Sequence, residues 1–146
     1  MFVLVQANVM IVGLEERIKA LNELPIRVIA INSGREAARS LKNEKIDSVI
    51  CKWDLEDMRE GTFLRNLRLV KPEILTISFV QTLDRSQEII ARSIGVSVVL
   101  TERTTDALFI ETVANLLGLS GRKLTEPIAL ASNKPKSTFV REGTAE

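Results

Sequence analysis

Ile46-Asp47-Ser48-Val49-Ile50-Cys51-Lys52, followed by Trp53-Asp54-Leu55-Glu56-Asp57, is the stretch that decides the fold. From Ile46 to Cys51 the run is short and has a continuous apolar centre at Val49 and Ile50, as a strand buried on both faces requires. The loop through Asp54 and Asp57 leads to Phe63, Leu64, Leu67 and Val70, spaced for the inner face of one helix. A doubly buried strand followed by a helix is one unit of a parallel sheet, and the unit recurs in both directions along the chain.

Towards the N-terminus, Phe2-Val3-Leu4-Val5 reads as the first strand, ending at polar Gln6 and Asn8. Met10, Leu14, Ile18 and Leu21 follow at helical spacing, with Glu15, Arg17 and Lys19 on the other side. Pro25 cannot continue that helix and opens the second strand, Ile26 to Ile31. Ser33 is the expected N-cap of a helix with Ala37, Ala38 and Leu41 turned inward, and Glu36 stands at the capping-box spacing. Towards the C-terminus, Pro72 opens a strand at Ile74 to Ile77, and a helix bearing Ile89, Ile90 and Ile94 stops at Gly95. Val96 to Leu100 is the fifth strand. The last helix begins near Thr105 and carries Leu108, Ile110, Val113 and Leu117 to a stop at Gly118.

Five strands alternating with five helices predict an α/β, doubly wound, five-stranded parallel sheet with helices on both faces. Right-handed crossovers and short connections favour the flavodoxin-like strand order 2-1-3-4-5. One domain is expected over residues 1–119. Residues 120–146 read as an extended tail whose apolar anchors are Ile128 to Leu130 and Phe139-Val140.

Composition excludes several functions. The chain has no histidine, so His-based acid–base catalysis and His metal ligation are ruled out, and its single cysteine, Cys51, cannot form an internal disulfide. Cys51 lies in an apolar run and reads as a small buried hydrophobe. A net charge of +1 offers no bulk attraction to nucleic acid or acidic membranes. No apolar stretch approaches the roughly 18 residues of a membrane span, and the start lacks a basic leader, so a cytoplasmic protein is expected. In the tail, Arg122, Lys123, Lys134, Lys136 and Arg141 are spread out and offset by Glu126, Glu142 and Glu146, which does not suit nucleic acid.

Three stretches carry a family resemblance: Ile31-Asn32-Ser33-Gly34-Arg35-Glu36-Ala37; Asp47-Ser48-Val49-Ile50 with Leu55-Glu56-Asp57-Met58 and Gly61; and Ala91-Arg92-Ser93-Ile94-Gly95-Val96. Set in register on this element order, they resemble the receiver domain of bacterial response regulators over about residues 2 to 118. The resemblance implies a crevice at the strand ends holding an acidic pair, a phosphoacceptor aspartate, a small hydroxyl residue and a lysine, with Mg²⁺ on the carboxylates.

At the matching positions this chain reads differently. The acidic pair falls on Gln6 and Ala7, with Asn8 beside them; the phosphoacceptor position falls on Lys52, the hydroxyl on Ser78, and the lysine on Glu102. The aromatic switch position of strand five is Val99. Such a pocket is expected to repel Mg²⁺, and a Lys52–Glu102 ion pair is one way of filling it; the alternative is that both side chains reach solvent. Gly61 lies one position further from Lys52 than the family loop implies, which keeps Asp54 open as an alternative phosphoacceptor. Asp54, Glu56, Asp57 and Glu60 read as a solvated loop and helix start, where negative charge is favoured.

The resemblance therefore implies a degenerate receiver, or pseudo-receiver, of the two-component phosphorelay type: a protein-interaction module, not an enzyme, using no cofactor or metal. A partner or homodimer is expected on the surface of helix four, strand five and helix five, with Arg85, Arg92, Val99, Arg103 and Asp106 as candidates. The competing reading is a small-ligand binder using the crevice at Lys52, with Lys52 as a nucleophile only if burial depresses its pKa. Neither a glycine-rich dinucleotide loop nor a P-loop supports it.

Overall fold

The computed structural model describes residues 6–119. Five parallel strands, β1 (Ala7–Val12), β2 (Ile26–Ile31), β3 (Ser48–Lys52), β4 (Leu75–Val80) and β5 (Val98–Thr101), form one sheet in the order β2-β1-β3-β4-β5. Four α-helices alternate with them: α1 (Gly34–Asn43), α2 (Thr62–Val70), α3 (Arg85–Ser93) and α4 (Asp106–Leu116). Fold class and strand order are those expected from the alternating apolar pattern.

The central strands β1, β3 and β4 are buried on both faces, so the sheet has two cores. Met10, Val12, Val49, Cys51 and Val80 pack under α1, α2 and α3 through Ala37, Leu41, Phe63, Leu64, Leu67 and Ala91. On the other face Val9, Ile11, Ile50, Ile77 and Phe79 pack under Phe109 and Val113 of α4. Cys51 is fully buried and free, and burial pushes its thiol pKa far up, which makes it inert.

Local signals place the helix starts. Ser33 Oγ accepts the Glu36 N–H at 3.1 Å, Asp84 accepts the Gln87 N–H and Thr105 accepts the Leu108 N–H. Gly95 has φ +96°, so its missing Cβ lets the chain leave α3 for β5.

The first unit departs from expectation. The run Phe2 to Val5 lies outside the described residues, and the strand that pairs with β2 and β3 is Ala7–Val12. Met10, expected on a helix, is therefore the fully buried centre of β1. No α-helix joins β1 to β2 either. Two 3₁₀ turns, Glu15–Arg17 and Lys19–Glu23, make the crossover and bury Leu14, Leu21 and Leu24. With Met10 taken into the strand, few residues remain to cross the sheet, and a 3₁₀ turn covers about 2.0 Å per residue against about 1.5 Å for an α-helix. Pro25 holds Leu24 in extended backbone and ends the second turn. The fourth strand runs three residues past its expected end at Ile77, to Val80.

Candidate functional site

The C-terminal ends of β1, β3, β4 and β5 open into a crevice of about 480 Å³, beside the point where the strand order reverses. Ligands of open α/β sheets bind at such a place. Leu14, Trp53, Phe79 and Val80 supply apolar wall, and Lys52, Arg17, Asp54 and Glu102 bring charge.

Lys52 is the last residue of β3, exposed, and sits beside Phe79 of β4 in register. Asp54, two residues on, lines the same crevice with 29% of its side chain exposed. Its carboxylate accepts the Glu60 backbone N–H, lies 3.9 Å from the Arg59 guanidinium and receives Gln87 Nε2 at 3.5 Å.

Gln6, Ala7 and Asn8, expected in this pocket, are not brought to it. They stand at the start of β1, at the opposite edge of the sheet. There the Asn8 N–H donates to Asp47 Oδ2 at 2.8 Å and Asn8 Nδ2 donates to the Lys45 carbonyl at 2.8 Å. The displacement follows from the strand assignment: with β1 at Ala7–Val12, the residues that emerge at the crevice edge are Gly13 and Leu14.

Ser78 is also displaced. It lies inside β4 opposite Cys51 and is fully buried, its hydroxyl without a partner among the described residues. Val80, not Ser78, reaches the crevice, because β4 continues three residues further than its apolar run suggested.

Lys52 and Glu102 share the crevice but do not pair. The four ion pairs among the described residues are Arg17–Asp106, Arg27–Glu44, Arg59–Asp54 and Arg92–Glu88. Glu102 instead turns back onto the loop after β4, where the Thr82 N–H and hydroxyl both donate to its carboxylate. The Thr82 hydroxyl is the main reason that its carboxyl pKa lies below the ordinary value.

Arg17 was missed. Placed by its spacing on the polar side of a helix, it is 8% exposed and walls the crevice from the first 3₁₀ turn. One guanidinium nitrogen donates to Asp106 at 3.0 Å and another to the Glu102 carbonyl at 3.0 Å. Its guanidinium carbon stands 5.1 Å from the centre of the Phe79 ring and 5.8 Å from that of Phe109. Asp106, expected on a partner surface, pairs with Arg17 while its side chain stays 65% exposed.

The other surface candidates stand apart from the crevice. Arg85 and Arg103 are exposed, Arg92 pairs with Glu88 at 3.0 Å along α3, and Val99 is half-buried in β5 opposite Ser78. The same region also exposes Leu83, at 89%, and Ile89, at 63%, although Ile89 is among the apolar residues that the spacing gives to this helix.

No protein-family model matches the chain, and no curated relative does. Solved structures do. The signal receiver domain of an HD domain-containing protein from Pseudomonas fluorescens Pf-5 superposes with a TM-score of 0.71 at 18% identity, covering 78% of this chain and 96% of its own. A CheY-like response regulator receiver domain protein from Methanospirillum hungatei JF-1 gives 0.70 at 14%, covering 80% and 98%. The signal receiver domain of a signal transduction histidine kinase from Syntrophus aciditrophicus gives 0.67 at 25%, covering 86% and 99%. The chain has the receiver fold.

Proposed function

We propose that this chain is a receiver-type signalling module that acts by binding protein partners and stands outside the standard phosphotransfer cycle. The observation that carries the proposal is the residue set at the crevice edge: β3 ends in Lys52 and β1 runs out into Gly13-Leu14. Standard receiver chemistry needs a carboxylate oxygen to attack phosphorus and further carboxylates to hold Mg²⁺. A lysine at the end of β3 supplies a protonated amine that repels the cation, and an ammonium has no lone pair for the attack.

The acids that do line the crevice do not suit Mg²⁺ either. Asp106 is held by Arg17, Glu102 by Thr82, and Asp54 by the Glu60 N–H with Arg59 near it. Among the described residues no cluster of three metal-ligating side chains forms. Trp53, the only tryptophan, lines this crevice and reports on it directly. Titration with millimolar Mg²⁺ should leave Trp53 fluorescence unchanged, and saturable quenching would reveal a cation site and sink the proposal.

Output then passes through a surface. The region of α3, β5 and α4 supports a protein partner or a second copy: Arg85 and Arg103 offer charge, and Leu83, Ile89 and Leu108 offer exposed apolar area. No helix among the described residues is long and apolar enough to cross a membrane. A second reading, phosphorylation on Asp54, is supported by its place in the same crevice and its partial exposure.

A further inference from the structure

Between α1 and α2, away from the crevice and from the α3–β5–α4 surface, lies an apolar groove of about 160 Å³. Leu41, Phe63 and Leu67 form its buried floor, and Met58 and Val70 stand at its sides. Val70 is 73% exposed and its neighbour Leu69 82%, so apolar surface continues outward at the C-terminal end of α2. Apolar area gathered in this way on a small domain marks an interaction site. A cavity of roughly 150 Å³ holds a benzene ring, so this one suits a single leucine-sized anchor.

The groove is framed by cations. Lys42 and Lys71 are the only charged side chains that line it. Arg35 stands one turn before Ala38, and Arg39 one turn before Lys42, so these two exposed arginines border that side of α1. None of the four cations forms an ion pair among the described residues. Lys71 Nζ donates to the Leu41 carbonyl at 2.9 Å, and an ammonium has two further hydrogens to give. Of the acids near α1, Asp57 is held by the Gly34 and Arg35 N–H groups and Glu44 pairs with Arg27. Glu36, two positions from Ala38, lies on another side of the helix.

We propose that this groove docks an acidic amphipathic segment of a partner protein. An apolar anchor enters between α1 and α2, and carboxylates beside it meet Lys42, Lys71, Arg35 and Arg39. Charge complementarity selects this occupant. A second copy presenting the same face would set these cations against their like, which is costly. Nucleic acid would satisfy the cations but leave the groove unfilled, and Phe63, the only ring lining it, is buried and offers no face to a base. The site is separate from the crevice, so it does not depend on whether a crevice residue takes a phosphoryl group.

Fluorescence anisotropy of the full chain with a labelled helical peptide of about 14 residues tests the site. The peptide carries leucines at i, i+3, i+4 and i+7 with glutamates on both sides of them. A second peptide has lysine for every glutamate, and a third has alanine for every leucine. Saturable binding of the first is expected, at least about tenfold tighter than that of either other peptide. Lys42→Glu and Val70→Glu should each weaken it at least about tenfold, and Ile89→Glu on α3 should leave it unchanged. All three positions are exposed, so the fold tolerates the changes. Failure to bind, equal affinity for the glutamate and lysine peptides, or loss of binding in Ile89→Glu would overturn the proposal. So would self-association in sedimentation that Val70→Glu abolishes, which would assign the groove to a second copy. Tighter binding of a labelled DNA duplex, abolished by Lys42→Glu, would overturn it in favour of nucleic acid.

Discussion

Arg17 holds together parts of the molecule that are far apart in the chain. Its partner Asp106 is 89 positions away, and the two aromatic rings beneath its guanidinium come from β4 and α4. Replacing it with alanine removes two charge-assisted hydrogen bonds and two cation–ring contacts in a largely buried place. We expect a loss of about 2–4 kcal/mol in denaturant melts. Asp106→Ala should cost less, about 1 kcal/mol or below, because the Asp106 side chain is 65% exposed and the Glu102 carbonyl still holds the guanidinium. Equal losses for both variants would mean that the ion pair alone carries the effect. None of this was legible in the sequence, where Arg17 stands between Glu15 and Lys19 like any solvated residue. Burial here is decided by rings that only the tertiary fold delivers.

At the scale of elements, the loop from Trp53 to Glu60 is clamped at two points. Asp57 reaches across to the start of α1, where its two carboxylate oxygens accept the Gly34 and Arg35 N–H groups at 2.9 Å each. These backbone bonds, the Gly34 one foremost, hold the Asp57 pKa below its ordinary 3.8. A carboxyl with a lowered folded pKa contributes stability that is present above its unfolded pKa and lost as pH falls through the folded one. The wild type should therefore lose stability relative to Asp57→Asn as pH drops below about 3.8. Parallel curves for the two proteins across that range would contradict the clamp.

The second point is Gly61, with φ +73°, whose missing Cβ would sit 2.3 Å from the Trp53 ring. Gly61→Ala should cost at least about 1–3 kcal/mol from backbone strain alone, and shift Trp53 emission as the ring is displaced. An unchanged spectrum would place the ring elsewhere.

The elements whose apolar runs have no rival were legible: β2 after Pro25, β3 around Val49 and Ile50, and α1 behind Ser33 all stand where their residues put them. The first unit was not, because two apolar runs, Phe2 to Val5 and Val9 to Val12, compete for one strand. Met10, Leu14, Ile18 and Leu21 happen to fall at helical spacing across a strand and two tight turns. That one error put Gln6, Ala7 and Asn8 at the crevice end of the sheet, and the short reading of β4 put Ser78 there, though it lies buried inside the strand.

For the whole molecule, the receiver fold accommodates a crevice edge at which β3 ends in Lys52 and β1 runs out into Gly13-Leu14. The two cores explain how. They sit in the sheet interior and under the helices, so the crevice edge changes its charges without disturbing the packing. Lys52, given the phosphoacceptor position by counting from both sides of its loop, is the last residue of β3. The most direct measurement is intact mass of the full chain after incubation with acetyl phosphate and Mg²⁺, repeated with Asp54→Asn. An unchanged mass is expected for both proteins. A gain of one phosphate in the wild type that disappears in Asp54→Asn would contradict it and make Asp54 the phosphoacceptor of a working receiver.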